Sequence, residues 1–416
     1  MSASVLLKEL IIESRTRCRD FTGGDKLEAF GVTNTEGITH TAHRKSEDLS
    51  DYLVIKPGYL AYNPYRINVG SIGLTPSVIT GLVSPAYVVF QTKKQLIPEV
   101  LLDFLKSQEG LRQINKLASG AVRKALRFDD LGEIRIPVMT YDQQLDFLKR
   151  KQAFDIQHQQ LLSENQKQMA LLAKLKQAIL QEAIQGKHTA DWRSANPDSE
   201  PASELLKRIQ SEKAKLIAAK KIRKEKPLPP IKLEEIPFEI PKGWAWCRLG
   251  NILNFSSGDG LTSAQMEGGN VPVFGGNGIN GYHNKANIDT ETIVVGRVGA
   301  NCGSVHKTPA RAWVTDNAFI TTFSESCIGM DYLVLLLRFL DLNHLPYDGS
   351  QPVISGKRVY PLLTPLPPLA EQAVIVARFE ELMTSCRELE AEIGNSRTHS
   401  SQLLQAILKE AFVPTA

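Results

Sequence analysis

Leu175 to Ile184 reads LKQAILQEAI, and Leu403 to Phe412 reads LLQAILKEAF. Seven of these ten positions are identical at an offset of 228 residues. The same offset, with no gap, sets Pro137 opposite Pro365, Gln144 opposite Gln372 and Leu126 opposite Ile354. One register kept over roughly sixty residues is not a chance match, and a repeat missed at this stage miscalls the whole fold. The chain is built twice.

Both copies carry a helical seam. In the second, Phe379, Leu382, Cys386, Leu389, Ile393, Leu403 and Ile407 follow alternating steps of three and four, interrupted by Ser396 and Ser400. In the first the equivalent positions are Phe154, His158, Leu161, Asn165, Gln168, Leu172, Leu175 and Ile179. This is the pattern of a coiled coil sustained over about four heptads. A helix of roughly 40 residues is about 60 Å long and cannot bury such a stripe by itself. The nearest partner is its own copy, which predicts a pair of long helices packed on each other. His158, Asn165 and the two serines then set register at some cost in stability. Packing of each helix on its neighbouring globular domain is the alternative, but so long and narrow a seam suits a partner helix better. Pro365, Pro367 and Pro368 cannot continue a helix, and they stop just before Ala370-Glu371-Gln372 starts one.

Outward from the repeats the chain divides into five segments. Residues 1–139 and 236–365 read as mixed domains, with short β-like runs such as Tyr87–Phe90 and Thr292–Val295. Each has one helix ahead of its repeat, at Pro98–Leu117 and Met330–Leu340. Residues 140–186 and 366–416 are the long helices. Residues 187–235 form a polar connector with one basic helix from Ser203 to about Lys224, broken by Lys226-Pro227-Leu228-Pro229-Pro230. The expected fold is α+β: two mixed α/β domains separated by two long helices packed as an antiparallel coiled coil, with a pseudo-twofold internal repeat.

Composition narrows the function classes. At 416 residues the chain can hold two or three cores, and 42% hydrophobic with 23% charged residues is ordinary for a soluble protein. The longest apolar run, Tyr332 to Leu340, is too short to span a bilayer and is interrupted by Arg338. MSASVLLKELIIES has an acidic residue by position 9 and no cleavage-site pattern, which argues against a signal peptide. Five scattered cysteines with no C-x-x-C pair predict a reducing, cytoplasmic setting and no zinc site. The net charge of +4 is mild, yet Glu204 to Lys226 holds nine basic residues against three acidic ones. That segment is either a solvated helix and linker or an arm facing phosphates or a partner.

Two motifs are decoys. Gly276-Asn277-Gly278-Ile279-Asn280-Gly281 matches G-x-G-x-x-G, but the His283–Asp289 stretch is a poor helix start and no βαβ unit follows, so a turn-rich loop is expected. Asn63-Pro64-Tyr65 resembles part of the N-P-P-Y signature of amino-methyltransferases, lacks the second proline and has no glycine-rich cofactor turn upstream. The eight histidines show no metal spacing, and no nucleophile–base frame stands out. What remains suits the reading of nucleic-acid edges. Tyr62, Asn63, Tyr65, Arg66 and Asn68 cluster in the first domain, and Gly296-Arg297-Val298-Gly299-Ala300-Asn301-Cys302-Gly303 forms a comparable loop in the second. Arg can bond guanine bidentately, Asn can do so for adenine, and glycine lets backbone approach a phosphate.

Several stretches resemble the specificity subunits of type I restriction–modification enzymes. They are Pro365-Leu-Pro-Pro-Leu-Ala-Glu-Gln372 after Gly349-Ser-Gln-Pro-Val-Ile-Ser355, the repeated Leu-x-Gln-Ala-Ile-Leu, Ile240-Pro-Lys-Gly-Trp-Ala-Trp-Cys-Arg-Leu249, and Pro272–Gly281 with Val295–Ala300. Ser50–Gly58 and Val83–Tyr87 are in the same style, and the likeness covers nearly the whole chain in the family's order. Two departures stand out: the first repeat has Pro137-Val-Met-Thr-Tyr-Asp-Gln-Gln144 where the family favours a proline-rich turn ending in Glu-Gln, and no Pro-Lys-Gly-Trp opens the first domain. The resemblance implies a non-catalytic subunit whose two target-recognition domains each read half of an asymmetric, split sequence in double-stranded DNA, with the helices as a ruler. It implies two modification subunits that use S-adenosylmethionine and two restriction subunits that use ATP and Mg, with no cofactor in this chain. On that reading the candidate DNA-binding residues are Tyr62, Asn63, Tyr65, Arg66, Asn277, Arg297, Asn301 and Gln351.

Overall fold

The computed structural model describes residues 4–40, 48–118, 124–222, 224–299, 301–345 and 353–412. They form two compact units. The first joins the chain up to Gln168 with the stretch from Glu392 on, and the second is Met169–Ala391. Both long helices therefore contribute to both units. Among the described residues no helix is long and apolar enough to cross a membrane.

The first unit contains strands β1 (Ser4–Leu6), β2 (Ile11–Glu13), β3 (Ala29–Thr33), β4 (Gly37–His40), β5 (Leu53–Ile55), β6 (Leu60–Tyr62), β7 (Ile72–Leu74), β8 (Gly81–Val83), β9 (Val88–Thr92) and β10 (Arg135–Pro137). Its helices are α1 (Pro98–Lys106), α2 (Gln108–Leu117), α3 (Phe128–Gly132) and the start of α4 (Tyr141–Ile184). The second unit has helices α5 (Ala190–Ala195) and α6 (Ala202–Ala218), strand β11 (Ala245–Arg248), helix α7 (Leu249–Ile252) and strand β12 (Leu253–Ser257). There follow β13 (Val271–Gly275), β14 (Gly278–His283), β15 (Ile293–Gly296), β16 (Val305–Lys307), β17 (Trp313–Val314) and β18 (Ala318–Phe323). Helices α8 (Met330–Phe339) and α9 (Gly356–Val359), strand β19 (Leu363–Leu366) and the start of α10 (Leu369–Phe412) complete it.

The duplication extends through the domains. One antiparallel sheet runs β2-β9-β6-β7 in the first unit and β12-β18-β15-β16 in the second. A second sheet joins an antiparallel hairpin to a parallel third strand, as β4-β3-β8 and as β14-β13-β17. Where the first unit adds β5 beside β8, the second keeps only a bridge between Ile288 and Ala312. Each unit also pairs its opening strand with the strand before its long helix, β1 with β10 and β11 with β19. Pro98–Leu117, expected as one helix, is two. It breaks at Ser107, whose hydroxyl accepts a hydrogen bond from Gly110 N at 3.1 Å and so caps α2.

The paired glutamines have a specific task. Gln144 accepts from Ile97 N at 2.8 Å, the residue before α1, and donates to Gln95 O at 2.9 Å and Met139 O at 3.3 Å. Gln372 repeats this, accepting from Gly329 N at 2.7 Å and donating to Cys327 O at 3.2 Å and Pro367 O at 3.1 Å. Each buried amide thus ties the first turn of a long helix to the N-terminus of the domain helix beside it, satisfying backbone groups that a helix end leaves orphaned. In the second unit the Glu of Glu-Gln meets the Trp of Pro-Lys-Gly-Trp. Glu371 is buried and accepts from Trp244 Nε1 at 2.7 Å, Thr189 Oγ1 at 2.6 Å and Arg193 Nη1 at 2.5 Å. Trp244 in turn packs on Gly186, which sits at φ +70° just past α4, where any β-carbon would lie 2.7 Å from the indole. Among the described residues of the first unit, Gln143 instead closes a capping box with Thr140.

The helix pair is antiparallel. In the first unit Arg150 meets Glu410 and His158 Nδ1 lies 2.6 Å from Ser400 Oγ; in the second Lys176 bonds Glu390 at 2.6 Å. Phe154, Asn165, Leu172, Ile179, Phe379 and Cys386 are buried on the expected seam. Gln168, Leu175, Leu389 and Leu403 are exposed, contrary to expectation. A straight helix at 3.6 residues per turn drifts by about 20° per heptad against a 3.5 repeat, so the buried line passes to the next residue, as at Leu404 and Leu408.

Candidate nucleic-acid interface

In the second unit four loops meet at one end of the strands. They are the exposed Ser256-Ser257 end of β12, the β13–β14 hairpin tip at Gly276-Asn277, the segments 297–299 and 301–304 after β15, and the Asp316-Asn317 turn before β18. Ser304 Oγ donates to Gly276 O at 2.7 Å, Arg297 N donates to Asn317 O at 2.9 Å, and Arg297 Nη1 reaches Ser257 Oγ at 3.4 Å. The G-x-G-x-x-G match is therefore a hairpin turn, with Gly278 at φ +89° closing it. Asn277 and Asn301 are exposed and Arg297 is half-buried. The structure brings these three together. Gln351 lies outside the described residues.

The first unit builds the same loop end by the same bonds. Ser71 Oγ donates to Val32 O at 2.9 Å, as Ser304 does to Gly276. Asn63 N donates to Ser71 O at 3.2 Å, matching Gly296 N to Ser304 O at 2.9 Å. Leu126 N donates to Pro64 O at 3.0 Å, matching Ile354 N to Arg297 O at 2.9 Å. Pro64 therefore occupies the position of Arg297, and Tyr62 that of the core residue Val295. Tyr62 is not a reader. It is fully buried, lies edge-on to Phe90 at 6.1 Å and donates its hydroxyl to Leu126 O at 3.1 Å. Burial, with Glu13 and Asp130 nearby, pushes its ionisation far above the ordinary tyrosine range. Asn63 is half-buried, and its Oδ1 accepts from Tyr65 N at 3.0 Å, making the turn that presents Tyr65 and Arg66 to solvent. Those two are the exposed candidates of the first unit.

Sequence reasoning missed Ser257, Asn317 and Phe319. Ser257 and Asn317 lie in short polar stretches at strand ends, which carry no motif to single them out. Phe319 lies within a strand and touches the loop end through Arg297, whose guanidinium carbon lies 5.3 Å from its ring centroid. Among the described residues no cluster of three or more His, Cys, Asp or Glu could hold a metal ion. The five cysteines are all buried and unpaired, and burial pushes the Cys247 thiol up to about 12.

The two loop ends present unlike side chains on a duplicated scaffold, and residues 241–396 match the family of the type I restriction modification DNA specificity domain. Residues 241–396 thus carry the specificity domain of that family, and the chain is similar to type I restriction–modification specificity subunits, as its motifs suggested. It is 30% identical over 264 residues to the EcoAI specificity subunit of Escherichia coli, covering 57% of this chain and 44% of that one. It is likewise 30% identical over 279 residues to the EcoEI specificity subunit of E. coli, covering 59% and 45%. The matched stretch thus spans less than half the length of these curated relatives. The HsdS subunit from Thermoanaerobacter tengcongensis shares the fold at a TM-score of 0.60, with 17% identity over 99% of this chain and 96% of that one. A chain from a type I R-M system studied for its assembly and conformational transition shares it at 0.62, with 18% identity over 98% and 97%.

Proposed function

We propose that this chain selects the DNA sequence on which a type I restriction–modification complex acts, each unit reading one half of an asymmetric, split target. The observation that carries this reading is the contrast at the two loop ends. The hydrogen bonds that build them recur pair by pair, while the side chains they present differ: Tyr65 and Arg66 in one unit, Asn277, Arg297 and Asn301 in the other. One scaffold with two sets of readers suits two unlike half-sites. The helix pair then sets the spacing between the half-sites.

On this reading the chain performs no chemistry. Methylation of adenine and DNA cleavage belong to two modification and two restriction subunits, which carry S-adenosylmethionine, ATP and Mg, and the complex works in the cytoplasm. Exposed apolar side chains on the second unit's part of α4, among them Met169, Leu171 and Leu175, supply surface for docking a modification subunit.

The test is genome-wide adenine methylation in cells expressing this chain with its modification subunit. A split, asymmetric methylated motif that vanishes when the chain is deleted supports the proposal. Unchanged methylation, with the partner present and active, overturns it.

A further inference from the structure

A column of flat side chains crosses one face of the ladder formed by β12 and β18. It begins at Arg297, whose guanidinium carbon lies 5.3 Å over the Phe319 ring centroid. Phe319 stacks on its diagonal neighbour Phe255 at 5.2 Å with 14° between the rings, and Phe255 stacks on Tyr360 at 5.9 Å and 24°. Lys213 of α6 stands 6.0 Å over the Tyr360 ring at the far end. That end is tied down, because Tyr360 Oη accepts from Phe255 N at 2.8 Å and Lys213 Nζ donates to Leu253 O at 3.1 Å. The Arg297 end is open. Among the described residues its one side-chain hydrogen bond is the long contact to Ser257, and its buried Nε has no acceptor. An unsatisfied buried donor calls for an explanation, and a bound partner is one that fits an open loop end.

The duplicated scaffold provides an internal control. By ladder register and the shared hydrogen bonds, Pro64, Val88 and Glu13 stand where the second unit has Arg297, Phe319 and Phe255. Gly132 stands in the place of Tyr360 at the repeat's own offset. The first unit folds with none of the four, so the column is not a requirement of the architecture. It belongs to what distinguishes the two units.

We propose that Phe319 is a positioning residue for Arg297: the column holds the guanidinium plane in one orientation, so that its Nη edge meets a single base pair of the half-site read by the second unit. The proposal rests on the functional reading above and deepens it. A guanidinium stacked on a ring keeps its in-plane donors free, and that planar fork matches the O6 and N7 acceptors of guanine. Orientation matters little to a phosphate contact, which is satisfied from many directions, and much to a bidentate base contact. Phe319 therefore governs discrimination more than total affinity.

The test uses the full chain assembled with its modification subunit, on duplexes carrying the methylated target and every single base-pair change in both half-sites. Phe319→Leu and Arg297→Lys are each expected to lose about tenfold in discrimination at the same one base pair, and the double variant to lose no more than either. Phe319→Tyr restores it, and the other half-site and unrelated DNA are bound as before. Arg297→Lys leaves the ring in place, so the comparison survives any folding defect of the leucine variant. A wild-type profile for Phe319→Leu, loss spread evenly over both half-sites, or no rescue by tyrosine each overturns the positioning role while the specificity reading stands. A wild-type assembly that distinguishes no sequences overturns both.

Discussion

Tyr62 shows how a residue type misleads when the strand boundary is unknown. Tyr62-Asn63-Pro64-Tyr65-Arg66 reads as one polar cluster, yet it straddles the end of β6, so its first member faces the core and only its last two face solvent. Removing the hydroxyl tests this. Tyr62→Phe loses one buried hydrogen bond and is expected to cost about 1 kcal/mol in urea unfolding, with the DNA sequence preference unchanged. A changed half-site would return Tyr62 to the readers. Asp103 is a second residue no pattern announced. Burial in α1, with Asp155 adding to it and Lys151 at 3.5 Å opposing it, raises its carboxyl to about 6. A carboxyl whose folded value lies above its unfolded value contributes most below about pH 4, and that contribution is lost as the pH rises through about 6. Asp103→Asn does not titrate. Wild type should therefore lose stability relative to the variant by on the order of 2 kcal/mol between pH 4.5 and 7, and a pH-independent difference between the two would contradict the raised value.

At the scale of elements, the long helices were legible because their repeat runs without a gap from Leu126 to Phe412's counterpart, Ile184. The strands were not, because loop lengths differ between the copies. The offset is 228 at Leu126 and Ile354, 233 at Ser71 and Ser304, and 242 at Leu7 and Leu249, so no single register could align Pro64 with Arg297. The seam was read as a strict heptad and drifted, for the reason given by 3.6 residues per turn. The helices carry their own test. Deleting one heptad from both α4 and α10 shortens each by about 10 Å, or roughly three base pairs of rise, if the pair acts as a spacer. The methylated motif should then keep both half-sites and lose about three base pairs between them. Altered half-sites with an unaltered gap would end the ruler idea.

For the molecule as a whole, the repeated Leu-x-Gln-Ala-Ile-Leu proves to be where a helix end enters a core. Phe412 is buried edge-on to Phe104 at 5.3 Å and to Phe147 at 5.1 Å, within the same cluster as Leu7, Ile136 and Leu131. Phe412→Ala removes a large side chain from that cluster and is expected to cost about 3–5 kcal/mol. Hydrogen exchange should then accelerate in β1, β10 and α1 while β12 and β18 keep their protection; equal acceleration in both sets would mean that the units do not unfold separately. The same contact has a bearing on how the protein is made. The ribosome delivers a chain from its N-terminus, so Phe104 and Phe147 emerge long before the aromatic ring that covers them. The second unit, contained within Met169–Ala391, needs nothing synthesised after it. The part of the protein that is translated first is thus the part that is completed last.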